Sequence, residues 1–179
     1  MKLYIALLRG INVSGHRVIP MPALRTAMAE LNLANIRTFI QSGNVLFESE
    51  QTEQVLERLI SDKILERFAH HVPVMIITHE QLLDVVKHNP YAAETARDDK
   101  QPYVLFADKE PDEKDVENLQ AINFDEDSFV NRGKITYVFF ATGAGKTKLT
   151  TAVLEKKLKI AVTARNWRTV NQLLKLTSG

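Results

Sequence analysis

Apolar and polar positions along the chain change their period in a repeating order. Residues 3–8 are an almost continuous apolar run, which predicts a buried strand. A loop with two glycines follows over 10–19. Pro22 suits a first helical turn, and Met21, Leu24, Met28 and Leu31 recur at helical spacing behind it. Residues 36–41 and 45–48 predict two strands around a Ser42-Gly43-Asn44 turn. Val55, Leu56, Leu59, Ile60, Ile64 and Phe68 mark a second, longer helix, and 73–78 a further strand. Strand, helix, strand, strand, helix, strand is the ferredoxin-like order.

The order then begins again. Thr78-His79-Glu80-Gln81 has the form of a capping box, so a helix starts there and carries Leu82, Leu83 and Val86 until Asn89-Pro90 stops it. Residues 91–101 are polar and charged, a connector. A strand is expected at 103–107 and a helix at 112–122 through Val116 and Leu119. Residues 128–131 and 135–140 form a hairpin around Arg132-Gly133-Lys134. A helix over 149–158, a short strand at 161–163 and a last helix through Trp167, Val170 and Leu174 complete the series. The pattern predicts an α+β protein of two ferredoxin-like halves in one chain, 1–78 and 102–179. A linking helix and connector at 79–101 joins them. The halves share an order of elements, not a sequence.

Composition narrows the picture. The 179 residues, 45% hydrophobic and 25% charged, suit a globular protein with two small halves. No apolar run has the length to span a bilayer, so no membrane partner is expected. The N-terminal run ends at Arg9 and lacks the cleavage site of a secretory signal. The absence of cysteine removes disulfides, thiol nucleophiles and thiolate metal sites, and a cytoplasmic protein is expected. Net charge is +1, but the charge is uneven. From residue 141 onward eight Lys or Arg face one acid, Glu155, giving +7, so the first 140 residues carry −6. Such a basic segment suggests an anionic partner, although a charge run also serves as a solvated face.

Gly145-Lys146-Thr147, between an expected strand and an expected helix, resembles the end of a phosphate-binding Walker A loop. That loop needs a glycine five residues before its second glycine, and this chain has Phe140 there. Gly143 is too close to make the anion nest. The magnesium-binding acid normally comes from a later strand. No aspartate follows Asp127, and only 32 residues follow Thr147. ATP binding at this loop is therefore not expected. The stretch reads as a strand-to-helix turn with Thr147 near the helix N-cap.

Three longer stretches say more. They are Tyr4-Ile5-Ala6-Leu7-Leu8-Arg9-Gly10-Ile11-Asn12-Val13 with Ile19-Pro20-Met21 and Leu24; Arg37-Thr38-Phe39-Ile40-Gln41-Ser42-Gly43-Asn44-Val45-Leu46-Phe47; and Lys148-Leu149-Thr150 with Thr163-Ala164-Arg165-Asn166-Trp167-Arg168-Thr169-Val170. Together they resemble the bacterial domain of unknown function 1697 family (DUF1697) over nearly the whole chain. Ser14 and Ala164 stand where that family would have Gly and Thr. The resemblance implies two ferredoxin-like halves in one chain and supplies no catalytic residue to carry over.

The polar positions of these stretches are the candidate ligand-binding residues. Arg9 ends the first strand and Asn12 lies in the loop after it. Gln41, Ser42 and Asn44 lie at the tip of the first hairpin. Lys146 and Lys148 are expected to open the penultimate helix, and Arg165, Asn166 and Arg168 the last one. Helix N-termini favour anions, and arginine makes bidentate contacts to phosphate or carboxylate. A pocket shared by these loops would suit a small anionic or phosphorylated ligand, without cofactor or metal. Turn and cap chemistry competes for the same residues: Asn12, Ser42 and Asn44 suit turns, Asn166 suits an N-cap, and Trp167 suits a core anchor.

Nucleic acid is the alternative partner. Residues 132–139 resemble the ends of an RNA-recognition strand motif, but its inner aromatic positions hold Lys134 and Thr136, where base stacking would occur. Backbone binding through Lys146, Lys156, Lys157 and Lys159 remains as the nucleic-acid reading. A protein-interaction module, using a sheet edge or the Tyr91 region, is a third class. Enzyme motifs are sparse: His70-His71 ends a helix, and Ser14, His16 and Ser42 are the hydrolytic residues nearest the first loop.

Overall fold

The computed structural model describes residues 1–13, 15–96, 102–141 and 143–178. Ser14, from the hydrolytic set, and residues 97–101 of the expected connector lie outside the described residues. Eight strands and six α-helices are described: β1 (Lys2–Leu8), α1 (Met21–Ala29), β2 (Ala34–Phe39), β3 (Asn44–Ser49), α2 (Glu53–Phe68), β4 (Val74–Thr78), α3 (His79–Lys87), β5 (Tyr103–Ala107), α4 (Glu113–Gln120), β6 (Ser128–Arg132), β7 (Ile135–Phe139), α5 (Thr151–Leu158), β8 (Val162–Asn166) and α6 (Trp167–Thr177). A 3₁₀ helix, Ala92–Ala96, occupies part of the connector. Among the described residues no helix is long and apolar enough to cross a membrane.

The strands form two antiparallel sheets with the same connectivity, β2-β3-β1-β4 and β6-β7-β5-β8. In each, the first strand of its half is central, as two ferredoxin-like halves require. Contacts divide the chain into unit 1, Met1–Leu83 with Leu173–Gly179, and unit 2, Asp84–Gln172. Unit 2 is thus an insertion within the sequence of unit 1.

In unit 1 the alternation of β1 puts Tyr4, Ala6 and Leu8 on one face. They pack with Val45 and Phe47 of β3, Val74 and Ile76 of β4, Leu24 and Met28 of α1, and Leu56, Ile60 and Ile64 of α2. Tyr4 lies opposite Phe47, and Leu8 opposite Val74. Full burial of one such aliphatic side chain stabilises by about 1.5–3 kcal/mol. The capping box at the start of α3 is formed: the Gln81 amide donates to Thr78 Oγ1 (3.2 Å), and the Thr78 amide donates to Gln81 Oε1 (2.8 Å). Residues 173–178 close this unit. Arg37 Nη2 donates to the Leu176 carbonyl (3.2 Å), and Thr177 Oγ1 is 2.9 Å from His79 Nδ1.

In unit 2, Leu105, Ala107, Val138 and Val162 form the sheet face that packs with Leu119 of α4 and Leu154 and Leu158 of α5. The alternate residues point to the opposite face. There the Tyr137 hydroxyl donates to the Val85 carbonyl of α3 (3.0 Å), and burial pushes its pKa up to about 12.

Several boundaries differ from the sequence reading: β2 spans Ala34–Phe39 rather than 36–41, so that Gln41 lies in the turn, and two further shifts move candidate residues. β8 extends to Asn166, because Tyr103 pairs with Asn166 and the Trp167 amide donates to the Pro102 carbonyl (2.8 Å). Arg165 therefore lies on a strand and does not open the last helix. α5 starts at Thr151 behind the N-cap Thr150, whose hydroxyl accepts from the Val153 amide (3.2 Å). Lys146 and Lys148 precede that cap, in the turn. Leu149 is fully buried in the core rather than helical.

Candidate functional site

At one end of unit 1 the loop after β1 meets the β2–β3 turn, and Asn12 joins them. Its Nδ2 donates to the Gln41 carbonyl (2.8 Å) and the Ile19 carbonyl (3.0 Å), while its Oδ1 accepts from the Ile19 amide (2.8 Å). Asn12 itself is left-handed, with φ 53°, a conformation that asparagine tolerates better than most residues. The hairpin tip is held as firmly. Asn44 is fully buried, and its Nδ2 donates to the Phe39 carbonyl (3.0 Å) and Ser42 Oγ (3.2 Å). The Leu8 amide donates to the Gly43 carbonyl (2.8 Å). Gly43 has φ 84°, and a Cβ there would lie 2.7 Å from Leu8 Cβ and 2.8 Å from Ile11 Cδ1. Only glycine meets both requirements.

This frame presents a mixed surface. Arg9 is half-buried, its amide donating to the Pro73 carbonyl (3.0 Å). Arg17, exposed, directs Nη1 to the Arg9 carbonyl (3.4 Å), and the His16 amide donates to the Val13 carbonyl (2.9 Å). Val13, Val18 and Ile40 are 55%, 59% and 47% exposed, high for large apolar side chains. Two of the positions are conformationally costly. Arg17 has φ 46° and the β-branched Ile40 φ 51°, and left-handed backbone costs a non-glycine residue about 1–2 kcal/mol. In the sequence, residues 1–47 hold Lys2, Arg9, Arg17, Arg25 and Arg37 against a single acid, Glu30. Glu30 is itself paired with Arg67 and Lys63, which hold its carboxyl below the usual range.

Of the expected residues, Arg9, Asn12, Gln41, Ser42 and Asn44 thus come together in unit 1. Arg17, Val18 and Ile40 join them, and the sequence reading did not single these out. The only signals in the sequence were their places just after Gly15 and beside the turn.

The remaining four lie in unit 2 and are not on one face of its sheet. Arg165 is in register with Val104, which also pairs with Tyr137, on the face away from α4 and α5. It is 6% exposed and donates through Nη1 to Thr163 Oγ1 and the Ala164 carbonyl (both 2.8 Å), and burial lowers its pKa to about 10. Asn166 Oδ1 accepts from the Thr169 amide (2.8 Å) and caps α6. Arg168 is exposed on that helix. Lys148 lies in the turn before α5, where Asp125 is 2.8 Å away and raises its pKa.

The Gly143–Lys148 turn is organised by an acid that comes earlier in the chain. Asp127 Oδ1 accepts from the Ala141 amide (2.8 Å) and Oδ2 from the Thr147 hydroxyl, while Thr147 Oγ1 accepts from the Leu149 amide (2.8 Å). Thr147 is therefore a turn brace, one step before the true cap. Among the described residues no three His, Asp or Glu side chains cluster as a metal site.

The profile of the protein family of unknown function DUF1697 matches residues 1–137. The chain belongs to the DUF1697 family. A conserved bacterial protein of Streptococcus pneumoniae, SP0830, has the same fold, with a TM-score of 0.78 and 19% identity over 100% of this chain and 99% of that one. No curated protein gives a significant match. The DUF1697 match takes in the whole loop–hairpin end of unit 1. It stops before the 148–150 and 163–170 stretches, so those residues rest on their own geometry.

Proposed function

We propose that the protein is a binding module for an anionic ligand and that the loop–hairpin end of unit 1 is its recognition surface. One observation carries the reading: Asn12 locks the loop to the hairpin, so that Arg9, His16 and Arg17 are presented beside exposed Val13, Val18 and Ile40 on one strained frame. Strain of this kind persists only where surrounding structure enforces it, and it clusters at functional sites. A phosphate or carboxylate group would meet the arginines, and an apolar portion of the same ligand would cover the valines and Ile40.

The test is a ¹H–¹⁵N titration with phenyl phosphate, an anion bearing an apolar ring. Saturable shifts at the amides of residues 9–13, 15–18 and 40–43, weakened about tenfold in Arg17→Ala, are expected; a tenfold loss corresponds to about 1.4 kcal/mol, close to the lower bound for one hydrogen bond to a charged group. Absence of saturable shifts at this end would overturn the proposal.

A protein partner is the second reading. Three exposed β-branched side chains within two short segments favour it, since such patches commonly mark association surfaces. Nucleic-acid binding through Lys146, Lys156, Lys157 and Lys159 has less support, because Lys159 is paired with Asp115.

A further inference from the structure

The Walker-like turn of unit 2 forms one wall of a cavity that the surface reading leaves unused. The cavity has a volume of about 340 Å³, within the range of small-molecule sites. Its floor is the helix-covered face of the sheet: Tyr103 and Leu105 of β5 and Ala164 of β8, with Phe140 just beyond β7. The Tyr103 and Phe140 rings are 5.4 Å apart and tilted by 58°. The other wall is Ala144 and Thr147 of the turn with Thr150, Thr151 and Ala152 at the start of α5. Among the described residues no Lys, Arg, His, Asp or Glu lines it.

The walls are built in advance. Thr147 is held between Asp127 and the Leu149 amide, and the turn is closed by bonds from the Gly143 amide to the Phe140 carbonyl and from the Lys146 amide to the Gly143 carbonyl (both 3.1 Å). Thr150 Oγ1 accepts from the Val153 amide, so its own proton is available for donation. A volume of 340 Å³ equals that of about eleven waters at roughly 30 Å³ each. An occupant therefore has on the order of ten non-hydrogen atoms.

We propose that this cavity binds a small uncharged molecule with a ring against Tyr103, Leu105 and Phe140 and one hydroxyl or carbonyl oxygen directed to the threonines. Charge is disfavoured by chemistry: an ion brought against the apolar floor loses part of its water and meets no opposite charge among the described lining residues. The aromatic side chains offer edge and face contacts to a ring, and the Thr150 hydroxyl fixes the single polar atom.

Benzyl alcohol, with benzoate as its charged counterpart, tests the assignment on the full chain by ¹H–¹⁵N titration. Benzyl alcohol is expected to give saturable shifts centred on the amides of Thr147, Thr150, Thr151 and Ala164, with benzoate at least tenfold weaker. Ala164→Leu fills the cavity from the sheet and should weaken benzyl alcohol at least tenfold. Should that variant fail to fold, Ala152→Leu, at an exposed position in the first turn of α5, makes the same test from the helix side. No saturable shift, equal binding of benzoate, or undiminished binding in a folded filled variant would each overturn the proposal.

Discussion

Asn12→Ala is the perturbation that reads the frame of the loop–hairpin end most directly. It removes three hydrogen bonds, two donated to the carbonyls of Ile19 and Gln41 and one accepted from the Ile19 amide. At about 1 kcal/mol each, with water replacing part of the loss at a half-exposed site, they amount to roughly 2 kcal/mol. Alanine at φ 53° adds about 1 kcal/mol of left-handed strain. The total, about 3 kcal/mol, corresponds to local opening on the order of a hundred times more frequent. Native-state hydrogen exchange at the Ile19 amide, which loses its acceptor, measures this without requiring either unit to unfold. Asn12→Gly separates the two contributions, because glycine accepts the left-handed conformation freely and should exchange about fivefold more slowly than Asn12→Ala. An Ile19 amide whose protection changes by less than about threefold in Asn12→Ala would refute the account, since three lost bonds cannot be that cheap. Equal rates in the two variants would refute the backbone part alone.

Other expectations follow from the same geometry. Gly43→Ala combines left-handed strain with contacts of 2.7–2.9 Å to Leu8 and Ile11, and should lower the stability of unit 1 by about 2–4 kcal/mol in urea unfolding. The raised pKa of Tyr137 means that the fold favours its neutral form: the contribution is complete below the ordinary value of 10 and is lost as pH rises to about 12. Stability should therefore fall across that interval, and a fall as steep in Tyr137→Phe would count against this assignment. Lys148→Ala breaks an exposed pair with Asp125 and should leave the melting temperature unchanged within error, as surface pairs contribute little; a clear drop would show that the turn depends on that pair.

The existence and type of the elements were legible because each half alternates clear periods: a continuous run in β1, helical spacing in α1 and α2, and glycine-centred turns. The capping box at Thr78 was legible for the same reason, since its bonds are local. Misreadings came where tertiary contacts overrode local preference. Asn166 is a poor strand former, yet pairing of Arg165 with Val104 and of Asn166 with Tyr103 holds both in β8. Leu149 looks like the first apolar position of a helix but serves as a core plug ahead of the cap. In the candidate site, Asn12 and Asn44 could be picked out as turn residues. The left-handed backbones of Arg17 and Ile40 could not, because neither residue type signals that conformation. Nor does local pattern record that residues 173–178 group with unit 1, which depends on partners 98 and 139 positions earlier.

During translation, all of unit 2 leaves the ribosome before Leu176 and Thr177 can reach Arg37 and His79. Unit 2 is one uninterrupted stretch and can condense as it emerges, whereas unit 1, though begun first, must hold its nascent core ready for a strap that follows unit 2. Chains clipped near residue 172 would carry a finished insert within an unfinished host, the kind of exposed intermediate that chaperones and proteases sort.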